Sequence, residues 1–227
     1  MNEFEKEVSM LDKFRNDYIV HFYGACFVPN KVCMVTEFAE YGSLKDLMKK
    51  QVNQPNEQMK IILSRDCANG IKYLHDNGIL HRDIKPDNFL VISFENNVKV
   101  NCKLTDFGSS RNINLLMTNM TFTKGIGSPA YMAPEILKRQ HYKKPADIYS
   151  FGITMLEIMR WNNAFPKTDY PFAWNIAESV SQGELPSTFK SIKHREMKEI
   201  IHRTISFNPK ERPTIEEIVS MLKSMKK

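Results

Sequence analysis

The sequence predicts an α+β domain in two unequal parts, a small strand-bearing beginning and a mostly helical remainder, and three observations predict it. Met59, Ile62, Leu63, Cys67, Ile71 and Leu74 recur every three or four residues, the spacing of one apolar helix face. The stretch from Pro145 to Arg160 is apolar nearly all round, with Ile148, Phe151, Ile153, Met155, Leu156, Ile158 and Met159, and such a helix belongs inside a large core. The β-rich runs come in pairs, 21–27 with 31–38 and 89–94 with 98–104, all in the first half of the chain.

Taken in order, Glu3 to Phe14 carries Phe4, Val8, Leu11 and Phe14 on one face of an amphipathic helix. Pro29-Asn30 then separates the first two strand runs as a hairpin. Ser43 is a cap for a short helix to Lys50, and Pro55-Asn56 opens a longer one to His75, closed by the turn signal Asn77-Gly78. Glu95-Asn96-Asn97 joins the second strand pair as another hairpin. Ser109 to Lys124 is rich in Asn, Thr and Met without a clear period, too long for an ordinary connection. After the apolar helix come three more, 172–182, 196–205 and 214–225, the last opening on Thr214 and Glu217 at capping-box spacing.

With 227 residues, 42% of them hydrophobic and 26% charged, the chain has the composition of an ordinary globular domain and can bury a sizeable core. The net charge of +6 is spread along the chain without a Gly-aromatic pattern, so solvated faces are expected and no nucleic acid. The acidic start, Met1 to Glu7, lacks the apolar core of a secretory signal, and no apolar run is long enough to cross a bilayer. Cys26, Cys33, Cys67 and Cys102 lack zinc-site spacing, so buried reduced thiols, a soluble protein without membrane contact and a cytoplasmic setting are expected.

The chemistry concentrates in His81-Arg82-Asp83-Ile84-Lys85-Pro86-Asp87-Asn88 and in Asp106-Phe107-Gly108. Two carboxylates and an amide oxygen suit Mg²⁺, a hard cation that keeps waters and phosphates in its shell. A lysine beside them offsets charge on a transferring phosphoryl group, so phosphoryl transfer from a magnesium nucleotide is the expected reaction. A hairpin between the two segments would return the chain so that Asp106 faces Asn88 across one cavity.

These segments resemble the catalytic loop and magnesium-binding segment of the eukaryotic protein kinases. The similarity continues through Gly127-Ser128-Pro129-Ala130-Tyr131-Met132-Ala133-Pro134-Glu135, Asp147 in Ala146-Asp147-Ile148-Tyr149-Ser150-Phe151-Gly152, and Arg212 in Pro209-Lys210-Glu211-Arg212-Pro213. It implies a protein kinase-like fold, mostly a helical C-lobe (43–227) with a hinge (39–42) and an incomplete N-lobe (1–38). It implies ATP and Mg²⁺ as cofactors, with Asp83 as the base toward a protein hydroxyl, Lys85 steadying the phosphoryl group, and Asn88 and Asp106 as metal ligands. Backbone groups near Glu37 and Ala39 would bind the adenine edge, Thr36 would guard the back pocket, Leu90 would lie under the ring, and Glu7 would be the family's ion-pairing glutamate. Leu11, Phe22, His81 and Phe107 would form a hydrophobic column ending at Asp147, and Glu135 would pair with Arg212. By the same resemblance Ser109 to Lys124 is the activation segment, with Thr118, Thr121 and Thr123 as candidate acceptors of a phosphate that Arg82 would receive.

Lys85, two places after Asp83, resembles serine/threonine kinases, and the hinge resembles the tyrosine-kinase-like group of them, so a protein substrate phosphorylated on Ser or Thr is expected. The family's Gly-rich loop and Val-Ala-Ile-Lys strand would precede Glu7. The expectation is a serine/threonine kinase whose full gene product carries those strands upstream, with regulatory or receptor segments there too. The alternatives are a kinase-fold binding module of little activity and a nonfunctional fragment.

Overall fold

Several of the helices begin where a side chain accepts one of their first free backbone N–H groups. In this computed structural model, which describes residues 8, 12, 13, 15–28, 31–51, 54–112 and 128–225, Ser43 accepts from the Asp46 N–H to start α1 (Leu44–Lys50). Asn56 does the same for Met59 at the head of α2 (Glu57–Asp76). Beyond these come α3 (Pro134–Leu137), α4 (Lys144–Arg160), α5 (Ala173–Ser181), α6 (Arg195–Thr204) and α7 (Ile215–Ser224). Helix α7 opens with the capping box of Thr214 and Glu217.

The strands β1 (Phe22–Val28) and β2 (Lys31–Thr36) form the expected antiparallel hairpin, closing on the pair Val28 and Lys31. A short pair joins β3 (Ile79–Leu80) to β6 (Arg111–Asn112), the latter within the stretch that shows no period in the sequence. Strands β4 (Phe89–Val91) and β5 (Cys102–Leu104) also pair antiparallel, but each has only three residues instead of the six or seven expected. The physical reason is Asn101. Its side-chain amide donates to the carbonyls of Ser93 and Glu95, its N–H is held by the buried Asp66 carboxylate at 2.7 Å, and its own carbonyl accepts from Ile92. Those bonds replace a ladder with a loop. Of the first predicted helix, only Val8, which is helical, and Asp12 and Lys13, which form a turn, lie within the described residues. Leu11 lies outside them.

The core lies where α2 packs on α4, α7 and β5, with Leu63, Ile71, Leu74, Phe89, Phe107, Phe151 and Trp161 wholly enclosed. As expected, Cys67 and Cys102 are buried there; against expectation, Cys26 and Cys33 are exposed, because they lie on the outward face of β1 and β2. Glu135 and Arg212 form a bidentate pair at 2.7 and 2.8 Å with the guanidinium also donating to backbone carbonyls, so the buried charge is fully partnered.

At Gly152 the backbone of α4 meets α6 so closely that a Cβ would overlap the Ile205 methyl and lie 3.0 Å from the Thr204 methyl. Gly152→Ala would gain about 1 kcal/mol of helix propensity. Overpacking typically costs about 1–3 kcal/mol, which outweighs that gain. The expected outcome is a lower urea midpoint for Gly152→Ala; a raised midpoint would show that the two helices separate without cost.

Candidate active site

The first turn of α4 carries Asp147 into the interior, where water cannot reach its carboxylate. Four donors replace the water. Oδ2 accepts from His75 Nε2 at 2.9 Å and the His81 N–H at 3.0 Å; Oδ1 accepts from the Arg82 N–H at 2.9 Å and the Tyr142 hydroxyl at 2.8 Å. Burial alone would raise this carboxyl's pKa, but the hydrogen bond and charge of His75 and the loop N–H groups outweigh it and hold the group below the usual carboxylate range.

This anchor bends the loop that follows. Arg82 takes a left-handed backbone (φ 71°), with its guanidinium 5.8 Å over the Tyr142 ring. His81 Nδ1 accepts from the Asp83 N–H and its Nε2 faces the Thr105 carbonyl at 3.1 Å, so its partners assign the Nε2–H tautomer. The Asp83 Oδ2 then receives Lys85 Nζ at 2.6 Å and Asn88 Nδ2 at 3.2 Å, and the same Asn88 nitrogen donates to the Asp83 carbonyl at 2.8 Å. Among the described residues, nothing donates to Asp83 Oδ1 or to the Asn88 amide oxygen.

The second segment is tied to the first through Thr105. Its N–H donates to the Asn88 carbonyl at 2.9 Å while its carbonyl faces His81, so Asp106 leaves the loop one residue on. Asp106 is exposed and left-handed (φ 61°), and its Oδ1 accepts only weakly from Gly108 at 3.4 Å. Phe107 turns back into the core, its ring 5.6 Å from that of His81, and Phe22 is also buried. The structure therefore joins Asp83, Lys85 and Asn88 in one hydrogen-bonded cluster and hangs Asp106 from the residue bonded to it.

Thr36 ends β2, half-buried. The Glu37 carboxylate accepts from the His21 N–H at 2.6 Å and from Lys103 Nζ at 2.7 Å, while its own N–H donates to the His21 carbonyl. The Glu37 carbonyl and Ala39 N–H have no partner among the described residues. Leu90, half-buried on β4, bridges to Ser43 beside them. Glu7, Thr118, Thr121 and Thr123 lie outside the described residues.

Among the described residues, no three His, Cys, Asp or Glu side chains gather as a metal cluster. The donor set nevertheless fits Mg²⁺: Asn88, whose nitrogen is committed to the loop, leaves an oxygen free, and Asp106 offers an exposed carboxylate. The partners His75, Tyr142, Lys103 and Thr105 were not legible in the sequence. Each is an ordinary residue type, and all but Tyr142, five residues from Asp147, lie far along the chain from the group they hold.

A family model described as "Protein kinase domain" matches residues 1–222. The chain is similar to "Probable serine/threonine-protein kinase gdt2" of Dictyostelium discoideum, 34% identical over 227 residues, covering 100% of this chain and 14% of that protein. It is similar to "Serine/threonine/tyrosine-protein kinase HT1" of Arabidopsis thaliana, 33% identical over 224 residues, 97% of this chain and 54% of the relative. A third, "Serine/threonine-protein kinase STY46" of the same plant, is 32% identical over 225 residues, 99% of this chain and 37% of the relative. The chain thus spans less than two thirds of each.

Asp147→Asn should be costly because the amide nitrogen must face donors that the carboxylate accepted, and each buried donor left unpaired costs about 1–3 kcal/mol. Since the folded pKa of Asp147 is depressed, its contribution is present above the unfolded value of about 4 and is lost as pH falls through the lower folded value. Urea titrations should show a large gap between wild type and Asp147→Asn at neutral pH that narrows in acid; a gap independent of pH would contradict the ionised anchor.

Proposed function

The chain belongs to the protein kinase family, and from that premise we propose that it transfers the γ-phosphoryl group of ATP to Ser or Thr hydroxyls of a protein substrate. The observation that carries the proposal is the divided Asp83 carboxylate. Lys85 and Asn88 fix Oδ2, and Oδ1, without a donor among the described residues, is the acceptor for the proton of an incoming hydroxyl. Its orientation is set by the loop, so little is lost in positioning it at the moment of transfer.

Asn88 and Asp106 would hold Mg²⁺, which supplies neutralisation of the phosphate charge when bound. Lys85 carries a positive charge next to Asp83 and steadies the migrating group. The Glu37 carbonyl and the Ala39 N–H present an acceptor and a donor to the adenine edge, Leu90 supports the ring from below, and Thr36 borders the back of the pocket. Glu7 is assigned its ion-pairing role by motif register alone. In this reading 1–38 belongs to the N-lobe, 39–42 is the hinge and 43–227 the C-lobe.

The choice of Ser or Thr follows Lys85 and the relatives' names, one of which includes tyrosine. In the full-length protein, Asp83→Asn should lower kcat by about 10²–10⁴, the usual loss of a general base, with phosphate found on Ser and Thr of the substrate. Turnover near that of wild type would remove Asp83 from the role, and label confined to Tyr would overturn the acceptor class. Independently of turnover, Mg²⁺ and ATP at about 100 times Kd should add roughly 2.7 kcal/mol of stability. Ala39→Pro, which deletes the hinge N–H, should shrink that gain. Stability unmoved by nucleotide would favour a kinase-fold binding module.

A further inference from the structure

The hairpin of β1 and β2 carries a feature that phosphoryl transfer does not use. In its register Cys26 stands directly opposite Cys33. Opposed residues in an antiparallel pair project from the same face, with Cα atoms about 4.5 or 5.5 Å apart depending on the pair type. A disulfide accepts Cα separations of about 4.4–6.8 Å, so either type suits it. The adjacent pair, Ala25 and Met34, packs against the core, and alternation along the strands turns both cysteines outward, where both are exposed.

The other two cysteines show the contrast. Cys67 and Cys102 lie with sulfurs 3.7 Å apart, yet both are enclosed, and burial pushes the Cys67 thiol well above its ordinary pKa. Attack on a disulfide requires a thiolate and access, and enclosure denies that pair access. One pair is shielded from the chemistry, and the other is open to it.

We propose that Cys26 and Cys33 form a dithiol site that small disulfides of the glutathione type oxidise to a cross-strand disulfide. One cysteine, as thiolate after losing its proton to water, attacks a sulfur of glutathione disulfide and expels one glutathione thiolate. The opposing cysteine, likewise deprotonated, attacks the protein sulfur of that mixed disulfide and expels the second. Two protein thiols are oxidised and one glutathione disulfide is reduced to two glutathiones. The product staples β1 to β2 three residues before Thr36, independently of any kinase activity.

The test treats the native protein with glutathione disulfide, alkylates remaining thiols without reduction, and maps peptides by mass. Trypsin cuts at Lys31 between the two cysteines, so the disulfide joins two otherwise separate peptides. The expected result is that link, with Cys67 and Cys102 alkylated only after denaturation, and with Cys33→Ser instead retaining one glutathione on Cys26. Phenylarsine oxide, which bridges paired thiols, should be held by wild type and released by Cys33→Ser. Glutathione on both cysteines without a link, no reaction at either, or equal retention of the arsenical by variant and wild type would each overturn the proposal. Because both side chains are exposed, melting temperatures of the variants should stay near wild type and confirm an intact fold.

Discussion

One buried charge organises this molecule. The Asp147 carboxylate gathers the end of α2 through His75, the segment before α4 through Tyr142, and the loop backbone at His81 and Arg82. A carboxylate without such donors would be expelled from the core or protonated, so the segments that supply them must meet at one point. The net stability of such a buried network can be small, since desolvation opposes it. Its effect here is geometric: two successive loop N–H groups point into the core, and Asp83 and Lys85 follow half-buried, with Ile84 enclosed between them.

That geometry propagates to the groups proposed to react. Among the described residues, five non-glycine residues have positive φ, and Gln51, Arg139 and Trp161 end or follow helices. The remaining two are Arg82, adjoining the proposed base, and Asp106, the proposed metal ligand. Strain of this kind persists only where surrounding bonds overdetermine the backbone. Arg82 is held by Asp147, and Thr105, just before Asp106, is held by Asn88 and His81. The side chains proposed to react therefore sit on backbone that has little freedom to relax.

Local signals made much of this legible in the sequence. Ser43, Asn56, and Thr214 with Glu217 act within three residues of themselves, so the helix starts could be placed from short windows. Asp83, Lys85 and Asn88 are close enough in the chain that their meeting needs little from the rest of the fold. What a short window misses is competition from afar. Strand β4 ends early and β5 starts late because Asp66, on α2, captures the Asn101 N–H, and the exposure of Cys26 and Cys33 depends on which face of a hairpin is covered. Nor does residue type reveal which Asp83 oxygen stays free, since that follows from the committed nitrogen of Asn88.

Helix α4 repeats the same device at its other end. Glu157 is buried like Asp147 and fully partnered: Oε2 accepts from Lys45 Nζ at 3.0 Å and from the Tyr131 hydroxyl at 2.9 Å, and Oε1 from the Ala164 N–H at 2.9 Å. Lys45 in turn donates to Tyr131 and Asn163, so its three N–H groups are all engaged. These residues line a cavity of about 300 Å³ that also touches Lys85 and Asp87. An apolar helix with one socketed carboxylate near each end thus fixes the loop at one end and the wall beside that loop at the other. With both sets of bonds supplied from within the protein, the loop of the proposed base is positioned by the core before any ligand arrives, the arrangement that electrostatic catalysis requires.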